Sequence, residues 1–254
     1  MDTRVCDIET AVSGEPKNQQ SRRIRQQMYN KRMDVMNQEW RDAKVLFRFN
    51  GVPVKVRPSF WPMWLSSWPV LIWLAKWRRP KRSWPKCVLI GTVSLPFPLI
   101  ADLGHALAHT VSAKAAWADM DEIRLAADMP RTIYFYNDVS PDQHRLRATG
   151  GPLFSSLGLL LSLLWRWVSK TGSTSRELAE ISCVSHGFIL FGSLMPISLV
   201  DGGTLLKWTL IDNGWDPIEA DKQVRQTGIG SVIIVAVAAV GFLLKWLAGR
   251  SKHD

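Results

Sequence analysis

His105 and His109 stand four residues apart in GHALAH, inside one of the most apolar stretches of a 254-residue chain. On a helix that spacing puts both imidazoles on one face, where they can offer two nitrogens to a single Zn²⁺. In HExxH zinc hydrolases the residue after the first histidine is a glutamate, the general base for the attacking water. Here that position is Ala106. The ligand geometry is kept and the base is gone. Asp102 shares the helical face, three residues before His105. As a substitute base it is short and one turn away, a placement better suited to ligating or orienting a histidine.

A third ligand is available at Asp201, in the segment MPISLVDGG. Pro196 frees backbone carbonyls and Gly202-Gly203 allows close approach, so this acid sits at membrane depth only if irregular backbone lines a protein cavity. Two neutral imidazoles, one carboxylate and an open position make a tetrahedral zinc site of the catalytic type. The plainer alternative is hydrogen bonding between helices, with the histidines paired to each other or to Asp201.

These groups need elements to hold them, and the apolar residues are bunched rather than spread. Residues 60–77, 87–116, 152–168, 181–211 and 229–247 each contain an apolar run close to the roughly 20 residues that cross a bilayer. Five of the 13 tryptophans fall between Trp61 and Trp77, as suits helix ends at the headgroup level. The fold class expected is mainly α: a polytopic membrane helix bundle of about five transmembrane segments with a small cytosolic β-hairpin or sheet. Pro96 and Pro98 should bend the histidine-bearing segment ahead of its ligands.

Residues 1–44 read as a cytosolic, basic and partly disordered N-terminal segment, and 45–254 as the membrane domain. The first 45 residues carry no apolar core of a signal peptide, so the N-terminus is expected in the cytosol. Within them, 21–44 is basic with Ile24, Met28, Met36 and Trp40 near helical spacing, fit either to lie on anionic lipid or to remain solvated. Residues 45–57 read as a hairpin turning at Asn50-Gly51, a pair that accepts positive φ. Cys6, Cys87 and Cys183 are scattered and imply neither disulfides nor a thiolate site. His144 beside Arg145 and Arg147 reads as solvated loop, His186 as a polar contact between helices, and His253 as tail. The net charge of +10 is better matched by phospholipid than by nucleic acid, which is not expected as a partner.

Taken together, these segments resemble the site-2 proteases, zinc metalloproteases that cut substrates within the bilayer. The likeness spans about residues 45–247. NGVPVKVRPSFW is similar to the family's strand before its first membrane helix, and GHALAH stands in place of HExxH. MDEIRL follows His109 at the family interval, which fixes His105 and His109 as the pair instead of a register using Ala101 and His105. Gly150-Gly151-Pro152 resembles the family's AGP helix, and SLMPISLVDGG its NLLPIPPLDGG, with Ser193 for asparagine and Ser198 for proline. Asp201 falls on the third zinc ligand of that pattern.

The resemblance implies that 58–77 crosses the membrane and 87–116 returns, leaving 119–149 on the cytosolic side and the C-terminus outside. Five basic residues between Arg78 and Lys86 oppose that orientation by the positive-inside rule; the resemblance favours it. The expected protein is an integral membrane protein, placed in the plasma membrane, with a His105/His109/Asp201 zinc site. Its peptidase activity is expected to be impaired or absent, and its role to be binding a membrane segment or protein partner. Two alternatives stay open: an active metalloprotease with a non-standard base such as Asp102, and a metal-free scaffold.

Overall fold

The computed structural model describes Gln38, Trp40, residues 43–135 and residues 137–250, with side chains described as far as Ala238. It divides into residues 1–44 and 45–254. Most of the basic N-terminal segment, Cys6 and His253 lie outside the described residues. In chain order the elements are β1 (Lys44–Phe49), β2 (Val52–Val56), α1 (Phe60–Leu65), α2 (Ser67–Arg78), α3 (Trp84–Ser94) and α4 (Pro96–Ala115). β3 (Glu122–Leu125), β4 (Arg131–Ile133), α5 (Pro141–Val168), α6 (Thr174–Ser193), α7 (Asp201–Asp212) and α8 (Pro217–Arg250) complete the chain.

Prolines set the helix breaks. A proline ring clashes with the carbonyl four residues earlier; for Pro69 that residue is Leu65, where α1 stops, and for Pro98 it is Ser94, where α3 stops. The 60–77 run is therefore two short helices, and the histidine segment bends before His105 and His109. Run 181–211 is likewise interrupted, by the irregular backbone of residues 194–200 between α6 and α7. Run 152–168 is instead the end of a longer helix. α5 begins at Pro141 behind a capping box, in which the Gln143 N–H donates to Ser140 Oγ (3.3 Å) and the Ser140 N–H to Gln143 Oε1 (3.0 Å). Gln143 Nε2 also donates to the carbonyl of Ala116 (2.9 Å), fastening the start of α5 to the end of α4.

The four strands are ordered β1-β2-β3-β4, with β2 and β3 parallel and β3 and β4 antiparallel. Asn50 (φ 52°) and Gly51 (φ 87°) turn the hairpin in the left-handed region, as their types require. Val52, Val54 and Val56 point from one face of β2 into an apolar cluster with Phe60, Ala106, Met120 and Ile123. That cluster seats the sheet on α4. On its remaining positions β3 buries Glu122 and Arg124, with Lys55 Nζ 2.6 Å from Glu122.

In the helical layer α4 packs on α5 and α6, and α5 on α6 and α7. The interior contacts are small and polar: Ser94, Ser155, Ser162, Ser182 and Ser193 are buried, and the Ser162 and Ser182 hydroxyls bond at 2.7 Å. Large apolar residues face outward, among them Leu153, Leu157, Leu160 and Leu164 on α5 and Val184, Phe188 and Phe191 on α6. Phe188 is 77% exposed. Small residues between helices and bulky apolar ones outside are the arrangement that a bilayer accommodates and water does not. Among the described residues, Trp84–Ala115 and Pro141–Val168 are long and apolar enough to cross one.

Because β2 and β3 share a sheet, the hairpin and the segment after α4 must lie in one compartment. Arg48→Cys and Asp138→Cys, each in a background freed of native cysteines, are therefore expected to react with an impermeant maleimide from the same side. Labelling from opposite sides would contradict the paired register of Val54 with Ile123.

Candidate metal centre

Three side chains converge where α4, α5 and the start of α7 meet. His105 Nε2 lies 3.0 Å from Asp201 Oδ2, His109 Nε2 lies 3.2 Å from Asp201 Oδ1, and the two Nε2 atoms are 3.3 Å apart. Asp201 thus meets two residues almost a hundred positions earlier in the chain. Asp102 is not in this cluster. Ala106 is 3% exposed and its methyl belongs to the apolar cluster beneath the sheet.

Both rings are oriented from behind. The His109 Nδ1–H donates to the backbone carbonyl of Arg147 (2.9 Å), which also accepts from Ser112 Oγ (2.8 Å). Pro152 removes the intrahelical bond to the neighbouring Ala148 carbonyl, and the Arg147 carbonyl, with two lone pairs, accepts from these two side chains. His105 Nδ1 meets Ser155 Oγ at 2.9 Å. A carbonyl can only accept, so a neutral His109 carries its proton on Nδ1 and presents a lone pair at Nε2. That lone pair faces a carboxylate oxygen. Two acceptors at 3.2 Å repel unless a metal cation or a proton lies between them.

The spacing suits zinc. Bonds of about 2.0–2.2 Å at tetrahedral angles separate ligand atoms by roughly 3.4 Å, close to the three distances here. The backbone is shaped for the same contact. A Cβ at Gly151 would overlap Nε2 of both histidines, and one at Gly150 would meet Ser112 Oγ and the Ala108 carbonyl. At Gly202 and Gly203 it would strike the carbonyls of Leu194 and Ile197, so the double glycine lets α7 seat Asp201 against the turn before it.

Gly151→Ala is accordingly expected to displace both imidazoles and remove most bound zinc. Gly192→Ala, with nothing near its added methyl, should leave zinc content as it was. Equal zinc in the two purified variants would refute the role given to Gly151.

A cavity of about 340 Å³ opens beside His109 and Asp201, with Tyr134, His144, Arg147 and Trp208 among its lining residues. Burial pushes the Tyr134 phenol up to about 12, so it stays protonated. His144 overturns its loop reading. It is 2% exposed, stacked on Trp208 with centroids 3.5 Å apart, and its Nδ1 accepts from Arg147 Nη2 at 2.7 Å. The signal was present in the sequence: the capping box at Ser140 starts a helix, on which His144 and Arg147 share a face. His186 is buried between helices but packs against Gly158 and Phe154, and its Nδ1 has no hydrogen-bond partner. Cys87 and Cys183 are free thiols.

The fold and site describe a helix bundle suited to a membrane, with a buried His/His/Asp cluster behind a small sheet. Comparison with known proteins finds a solved structure that this chain is similar to, the site-2 protease from Methanocaldococcus jannaschii, a member of the family that the sequence motifs resemble. The two are 18% identical with a TM-score of 0.47, over 80% of this chain and 86% of that one. No protein-family model matches the chain, and no curated protein matches it.

Proposed function

We propose that this chain is an integral membrane protein whose His105, His109 and Asp201 hold one zinc ion, with peptidase activity impaired or absent. In this reading it binds a membrane segment or protein partner without cutting it. The observation that carries it is the facing pair of acceptors, the His109 Nε2 lone pair and the Asp201 carboxylate, which a metal cation reconciles. When bound, zinc would act as a Lewis acid toward a carbonyl oxygen. The chain's own residues do the rest. Ser155 and the Arg147 carbonyl fix the ring orientations, and the α4–α5 contact keeps water from the back of the site. At the position after His105, where a proton would be taken from the attacking water and returned to the leaving amine, Ala106 offers only a methyl.

The bilayer reading rests on the outward Leu and Phe faces of α5 and α6. Placement in the plasma membrane with a cytosolic N-terminus belongs to the same proposal, and is tested by whether the labelled positions react in intact cells or only after the plasma membrane is permeabilised. The function is tested by zinc analysis of detergent-purified protein beside a cleavage assay on a membrane-embedded peptide. One zinc per chain with the peptide bound and intact supports it; absence of zinc, or zinc-dependent cleavage, overturns it.

A further inference from the structure

The cavity beside the metal centre contains two donors that make no hydrogen bond of good geometry. Arg147 is 5% exposed; its Nη2 serves Asn137 Oδ1 and His144 Nδ1, while Nη1 has no partner. Since His144 Nδ1 accepts from Arg147, the neutral ring carries its proton on Nε2, which is buried and makes no hydrogen bond of good geometry, although the Asn137 backbone lies close to the ring. Both residues line the cavity. A buried donor left unbonded costs about 1–3 kcal/mol, and more when charged. Two such donors in one cavity mark a place where a ligand supplies the acceptors.

We propose that this cavity is a carboxylate-binding subsite adjoining the metal centre, with Arg147 Nη1 and His144 Nε2 each donating to one carboxylate oxygen. The positions of the charges select the ligand class. Arg147 stays in place because its guanidinium lies 4.0 Å over the Tyr134 ring. Lys207 also lines the cavity but is neutralised by Asp221 at 2.8 Å, and Asp201 is committed to the histidines. Among the described lining residues, one cation without a carboxylate partner and one neutral donor match a planar monoanion, whereas a phosphate dianion would meet Asp201 and Asp221 in the same wall. α7 also begins at this cavity without a side-chain cap, which adds partial positive charge. The carboxylate would come from a peptide, as its C-terminus or as an acidic side chain. The subsite names what part of a bound segment is recognised, so it rests on the partner-binding reading above, but it does not require zinc.

Saturation-transfer NMR on the full detergent-purified chain tests it. The probes are N-acetylglycine, its neutral counterpart N-acetylglycinamide, N-acetylasparagine amide as a second neutral control, and inorganic phosphate, read as a competitor of N-acetylglycine because it has no protons to observe. N-acetylglycine is expected to bind saturably, and both neutral amides at least tenfold more weakly. Arg147→Met and His144→Phe should each weaken the acid at least tenfold; the phenyl ring keeps the stack on Trp208, so His144→Phe should still fold and hold zinc. Equal binding of acid and amide, unchanged binding in His144→Phe, or preference for phosphate overturns the proposal. Binding that survives chelation yet falls in both variants separates the subsite from the metal centre, even where no zinc is found. Binding that is lost on chelation but kept in both variants puts the carboxylate on the metal and overturns the subsite.

Discussion

Ala106→Glu is expected to give a chain that cleaves a membrane-embedded peptide about 10²-fold or more faster than the unmodified protein, the usual contribution of a positioned general base. The new carboxylate would follow His105 directly and stand one turn before His109, the position it holds in HExxH. The structure adds a cost that spacing does not show. Ala106 is buried in the cluster of Val54, Phe60 and Ile123, so the longer side chain must leave that cluster and turn toward the metal. Overpacking of this kind destabilises by about 1–3 kcal/mol. The assay is therefore read beside zinc content and thermal stability. Cleavage should disappear when His109→Ala is added, because the metal goes with it. Robust zinc-dependent cleavage by the unmodified chain would refute the impaired-enzyme reading and make Asp102 the first base to test. An inactive but zinc-loaded Ala106→Glu would direct attention to Ser193 and Ser198, which depart from the family's pattern of residues.

Chelation of the purified protein should lower its melting temperature by roughly 10 °C. A ligand held at 1,000 times its dissociation constant stabilises by about 4 kcal/mol, and each kcal/mol moves a domain of this size by about 2–4 °C. Without a cation the His109 lone pair and the Asp201 carboxylate repel across 3.2 Å, or the ring takes up a proton. His109→Ala should contain no zinc and show no response to chelator. In the metal-free scaffold reading the wild-type protein contains no zinc either, and chelator shifts nothing. Calorimetry and metal analysis on the same two samples separate these outcomes.

Short-range rules made much of this protein legible from sequence. The i, i+4 histidines, the Asn50-Gly51 turn and the bend at Pro96 and Pro98 depend on residues within one turn of each other, so helical periodicity and backbone sterics suffice. Asp201 was legible for another reason: an acid beside a double glycine in an apolar run needs a cavity, wherever that cavity is. The extent of α5 was misread because the charged residues before Thr149 look like loop, although the capping box at Ser140 starts a helix there. What only the tertiary structure decided depends on how helices cross. The Arg147 carbonyl became the acceptor that orients His109, Gly151 a contact for two imidazoles, and Ala106 part of the support for the sheet. His144 and Arg147 became the lining of a cavity for the same reason: the groups they meet, on α7 and in the segment before α5, are set by packing between elements, and sequence spacing carries no information about those distances.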